Sequence, residues 1–137
     1  MTAAEIRAFF PAWSPPFCFD ATYAVPTADW ILNQFFPVWK AEREAKGLWL
    51  YKRKNDCDNF ARAYAVAAQD AWALTPTALE SEGVAVGEFC YIRADGRGAH
   101  CIVAAICEEG LVFIEPQTGQ RLALTPSEIS TCFHAAF

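Results

Sequence analysis

Residues 55–72, Asn55-Asp56-Cys57-Asp58-Asn59-Phe60-Ala61-Arg62-Ala63-Tyr64-Ala65-Val66-Ala67-Ala68-Gln69-Asp70-Ala71-Trp72, carry the clearest helical pattern in the chain. Phe60, Ala61, Tyr64, Ala67, Ala68, Ala71 and Trp72 recur at spacings of three and four, the signature of one buried helix face. Asn55 or Asp56 supplies the N-cap, and Leu74-Thr75-Pro76 closes the helix. The many alanines allow another layer to approach closely. After this helix the period changes to two. Phe89–Arg93, Ala99–Cys107, Leu111–Glu115 and Gln120–Leu124 alternate as strands, and Thr131–Phe137 reads as a last one. Between them, Thr125-Pro126-Ser127-Glu128 begins a short helical turn, Thr as cap and Pro at the first helical position.

The residues before the central helix are helical too. Thr2 and Glu5 have capping-box spacing and open a helix to about Phe10. The segment Pro11-Ala12-Trp13-Ser14-Pro15-Pro16 cannot continue it. Thr27 can cap a second helix through Trp30, Ile31, Gln34, Phe35 and Val38. Pro37 is expected to kink or break that helix before Lys40–Lys46, and Gly47 ends it. Leu48–Lys52 is a short apolar segment. The expectation is one α+β domain spanning residues 1–137, with N-terminal helices packed on an antiparallel sheet.

Composition narrows the classes of function. In 137 residues, 54% are apolar and 20% charged, which is core-forming material and excludes disorder. The net charge is −5, and no basic stripe faces a polyanion, so nucleic acid is an unsuitable partner. No apolar run approaches the ~20 residues of a membrane span. The first residues lack the basic start and apolar block of a signal peptide, so the default expectation is a cytoplasmic protein, export by another route aside. Six cysteines without a CxxC pair, and only two histidines, do not make a zinc site. Cys18, Cys57, Cys90, Cys101, Cys107 and Cys132 are expected as reduced thiols.

Three residues could carry chemistry. Cys57 stands in the first turn of the strongest helix, where free N–H groups and the helix dipole favour an anion such as a thiolate. Asp56 and Asp58 oppose that effect, so a histidinium or a bound cation would have to offset them. His100 heads an apolar strand after the turn Gly96-Arg97-Gly98. Glu115 ends a strand that Pro116 stops. If Cys107-Glu108-Glu109-Gly110 is a two-residue hairpin, Ile102 lies across from Glu115 and His100 across from Gln117. His100 and Glu115 are then diagonal neighbours on one face, roughly 7–8 Å apart at Cβ. A one-residue slip would separate them. Each residue alone fits a packing role. In order they make a nucleophile, a base and an orienting carboxylate.

The motifs Asp56-Cys57-Asp58-Asn59-Phe60-Ala61, Ala99-His100 and Glu115-Pro116-Gln117, with the gaps between them, resemble papain-like cysteine peptidases. More narrowly, they are similar to the C-terminal protease domain of the Marasmius oreades agglutinin family. The likeness covers roughly residues 50–120. It implies a papain-like fold and a peptidase acting on peptide or protein, with Cys57 as nucleophile, His100 as base and Glu115 as third member. It also implies calcium dependence, with Asp56, Asp58 and Gln117 as candidate ligands, since carboxylate and amide oxygens suit a hard cation. No organic cofactor is implied. The backbone N–H of Cys57 can serve an oxyanion hole, with Trp49, Tyr51 or Asn55 as side-chain donor. The same residues would serve acyl transfer or a peptidoglycan-type amidase, and an inactive domain of this kind would be a binding module.

Overall fold

In the computed structural model, which describes residues 1–52, 55–76 and 82–137, the period-two segments become five antiparallel strands. They are β3 (Val86–Ile92), β4 (Ala99–Cys107), β5 (Gly110–Glu115), β6 (Gln120–Leu122) and β7 (His134–Ala136), in the spatial order β6-β5-β4-β3-β7. Cys107 pairs with Gly110 and Val103 with Ile114, the register expected from the two-residue hairpin. Two shorter strands, β1 (Tyr23–Ala24) and β2 (Gly83–Val84), form a separate parallel pair. They are too short to leave a period in the sequence. Gln69 holds β2 in place: its Oε1 accepts from the Val84 N–H at 2.8 Å and its Nε2 donates to the Val84 carbonyl at 2.9 Å.

The central helix, α3 (Cys57–Ala73), starts at the N-cap Asp56 and lies along one face of the sheet. Phe60, Tyr64 and Ala68 are buried against Val103, Ala105 and Ile114, and burying a ring the size of Phe60 is worth about 1.5–3 kcal/mol. Trp39 and Phe35 complete this layer, their rings 4.8 and 5.0 Å from that of Tyr64. The Tyr64 hydroxyl donates to the Ile31 carbonyl at 2.9 Å. Strand alternation sends Ile102, Ala104 and Ile106 to the other face, where Ile6, Phe10 and Phe137 cover them. The α+β expectation of helices packed on an antiparallel sheet is met.

Local departures have physical causes. Helix α1 (Ala3–Arg7) has the expected capping box but stops early, because Phe9 and Phe10 bond to Ile6 and Arg7 in tight three-residue turns ahead of Pro11. The second helix is not broken at Pro37. A π-helical stretch, Trp30–Phe35, passes directly into α2 (Phe36–Ala45), so the distortion near Pro37 takes the form of a change of helix type rather than a break. Helix α4 (Pro126–Ser130) carries the anticipated Thr125 cap and capping box. The expectation of six reduced thiols fails for two of them. Cys90 and Cys101 face one another directly in the β3–β4 ladder, 4.1 Å apart at Cα, and are joined by a disulfide. Cys18, Cys57, Cys107 and Cys132 are free. Among the described residues, no helix is long and apolar enough to cross a membrane.

Candidate active site

Cys57 is the first helical residue of α3, so its backbone N–H has no intrahelical acceptor. What holds that helix start is the segment before it. Asn55 donates its side-chain amide to the Leu48 and Leu50 carbonyls, at 2.9 and 3.0 Å, and accepts from Arg43 at 3.1 Å. The Arg43 guanidinium lies over the Phe60 and Trp39 rings, at 5.0 and 5.4 Å. Arg43 thereby ties α2 to the approach to Cys57, a positioning role that no local motif signalled. Asp56 closes the start, its N–H donating to the Asn59 side chain at 3.4 Å.

His100 and Glu115 meet as the register requires. The ladder, carried beyond Val103–Ile114, makes them diagonal neighbours, and His100 Nε2 lies 2.7 Å from Glu115 Oε2. Both side chains are largely buried, 13% and 18% exposed, so the bond is little diluted by water. Glu115 is oriented further by the Gln117 N–H, which donates to Oε1 at 3.3 Å. The turn carrying this contact ends at Gly119, where φ is +73° and a Cβ would collide with the Phe36 ring. Since Nε2 is engaged by the carboxylate, Nδ1 is the ring nitrogen left to act as a base.

Cys57, His100, Glu115 and Gln117 line one cavity of about 400 Å³ together with Tyr51, Tyr91, Arg93 and Arg97. The thiol and the imidazole reach it from different sides. His100 lies on the face of β4 shared with Ile102, whereas half-buried Cys57 packs on Cys101, the next residue along, on the α3 face. Among the described residues no hydrogen bond joins the thiol to the ring. The other free thiols are shifted toward the protonated form. Burial pushes Cys107 up to about 12 and also raises Cys18 and Cys132.

The three oxyanion candidates separate on geometry. Asn55 is consumed by the carbonyls it caps, and Trp49 packs against Trp39 and Phe60, with ring centroids 5.5 Å away in each case. Tyr51 alone of the three lines the cavity. The candidate cation ligands divide similarly. The neighbouring carboxyls of Asp56 and Asp58 act on each other, which pushes Asp56 above and Asp58 below the usual carboxylate range. Gln117 sits on the cavity wall. Among the described residues, no three His, Cys, Asp or Glu side chains cluster as a metal site. Two apposed carboxylates do fit a hard cation, provided main-chain groups and water complete its shell.

No protein-family model matches the chain, and no curated protein sequence matches it. Solved structures that share its fold over the full 137 residues include two at 20% identity. One is the Polyporus squamosus lectin bound to the human-type influenza-binding epitope Neu5Aca2-6Galb1-4GlcNAc, 20% identical with a TM-score of 0.73. The other is a PSL1a–E64 complex, also 20% identical with a TM-score of 0.73. The chain spans about half the length of each, 49% and 51%.

Proposed function

We propose that this chain is a papain-like thiol hydrolase, a cysteine peptidase whose triad is Cys57, His100 and Glu115. One observation carries the reading: the 2.7 Å His100–Glu115 bond opens on the same cavity as a cysteine at the first residue of a helix. The shared fold adds support, because one of the matching structures is a complex with E64, a cysteine-protease inhibitor.

In this mechanism Nδ1 of His100 takes the Cys57 proton, and the thiolate attacks a peptide carbonyl. Glu115 fixes the ring tautomer through Nε2 and stabilises the imidazolium. The carbonyl oxygen, as it gains charge, is met by the Cys57 N–H and the Tyr51 hydroxyl. His100 then returns the proton to the leaving amine, and water hydrolyses the thioester. The reaction requires the thiol to come within hydrogen-bond reach of Nδ1. Asp56 and Asp58 would hold calcium, which would offset the repulsion between them and the thiolate.

A second reading draws on the missing thiol–imidazole hydrogen bond: an inactive domain of this fold that binds peptides. Treatment with E64 separates the two. A single covalent adduct, lost in Cys57→Ser and accompanied by hydrolysis of a denatured protein substrate, is the expected result. Absence of both adduct and hydrolysis would sink the hydrolase.

A further inference from the structure

A second cavity, of about 620 Å³, lies on the far side of α3 from the helix start and has the opposite character. Its walls are apolar. Phe17 and Phe19 are exposed, their rings 4.9 Å apart, and Val66 and Phe137 face them. At its floor stands a carboxylate, Glu88, whose side chain is only 10% exposed. His134 Nε2 lies 2.6 Å from Glu88 Oε1. The other oxygen, Oε2, is buried without a hydrogen bond. Its charge partner is Arg62, whose Nε forms an ion pair with it at 3.4 Å from a side chain 61% exposed. Asp20 adds a second carboxylate to the wall.

Buried carboxylate oxygens are rarely left without a donor, and one that lines an open apolar cavity marks where a donor belongs. Volume and lining match those of small-molecule pockets, about 300–1,000 Å³ and mostly apolar with few convergent polar groups. Two carboxylates, Glu88 and Asp20, stand against one exposed guanidinium, with His134 engaged on Glu88 Oε1, and this balance favours a positive guest. We propose that this cavity is a binding site for a small organic cation with an apolar body, an ammonium or amidinium. Its N–H displaces the exposed Arg62 side chain from Glu88 Oε2 while its body packs between Phe19 and Val66. Phe17 and Phe19 are exposed because they form the open wall of this site.

The test is an amide chemical-shift titration of the full chain with 2-phenylethylammonium and, matched in shape, 3-phenylpropionate. The cation is expected to shift the amides of Glu88, Val66 and His134 saturably, with a dissociation constant on the order of 1 mM for so small a ligand. The anion should bind at least about tenfold more weakly. Glu88→Gln should weaken the cation about tenfold, as expected for loss of one charge-assisted hydrogen bond. Phe19→Ala, at a residue 74% exposed, keeps the test informative if Glu88→Gln fails to fold, and should weaken binding severalfold. Equal binding of cation and anion, or no saturable shift around Glu88, would overturn the proposal.

Discussion

The molecule contains two histidine–glutamate pairs of nearly identical geometry. His100 and Glu115 are 2.7 Å apart, and His134 and Glu88 are 2.6 Å apart. Their surroundings differ. The first opens on a polar cavity with a cysteine at a helix start. The second opens on an apolar cavity that holds an arginine and no thiol, and its imidazole is 46% exposed against 13%. A hydrogen-bonded imidazole is therefore not by itself a catalytic device. What assigns it a task is the neighbour it could deprotonate.

The largest effect expected from that contrast is on turnover. Cys57→Ala should lower peptide hydrolysis by more than about 10⁴-fold, and His100→Ala nearly as much, because groups that act as a unit fail together. Cys57 is half-buried, so its loss should change stability by less than about 1 kcal/mol in thermal or urea unfolding. His134→Ala should instead be read by melting. It strips Glu88 Oε1 of its donor and should cost about 1–3 kcal/mol. If it also abolished turnover, the two pairs would be parts of one machine and the contrast would collapse.

Glu115→Gln should come next, with kcat reduced about 10²-fold, within the range for a perturbed acid–base relay. The Gln amide can still touch Nε2 but cannot support an imidazolium. A fall in KM-dependent binding alone, with kcat intact, would mean that Glu115 shapes the cavity rather than orienting His100.

Thiol labelling gives a smaller, direct reading. Iodoacetamide at neutral pH should modify Cys57 about tenfold or more faster than Cys18, Cys107 or Cys132. Burial raises those three thiols and so lowers their thiolate fraction. Cys90 and Cys101, being bonded, should not react until reduced. Equal labelling of all four free thiols would remove the activated nucleophile from the first pair and make it resemble the second.

The same contrast shows what the amino-acid order could disclose. The His100–Glu115 pair was legible because a two-residue hairpin, Glu108-Glu109, fixes the β4–β5 register, and a period of two then dictates the face. The Cys57 helix was legible through its cap and alanine-rich stripe. Glu88–His134 was not, since β7 joins β3 from 46 residues away and no local turn sets that pairing. Gly87 shows how close this junction is: a Cβ there would collide with the Ala136 backbone. The Cys90–Cys101 bond was hidden for a related reason. The connection from Arg93 to Gly98 is too long to impose one register, and cysteines in apolar strands look like packing residues. Arg43 acts through aromatic faces and a capping amide, contacts that leave no spacing to read.

Calcium provides the finest test of the helix start that carries Cys57. The Asp56 and Asp58 carboxyls interact, which raises Asp56 and lowers Asp58 from the usual carboxylate range. A divalent cation would compete with the proton that binds Asp56. At ten times its dissociation constant it would stabilise the fold by about 1.4 kcal/mol, or a melting-temperature rise of about 4–6 °C for a chain of this size. The sign with pH follows from the displaced proton. The calcium increment should be full above the Asp56 titration and shrink as pH falls through it, because protonation and metal compete for the same oxygens. Asp58→Asn should abolish the increment, and the second cavity, whose carboxylate is held by His134 and Arg62, should contribute nothing to it. A melt unchanged by millimolar calcium would remove the cation and leave Cys57 to ionise beside two acids unaided, which would favour a binding role for this face as well.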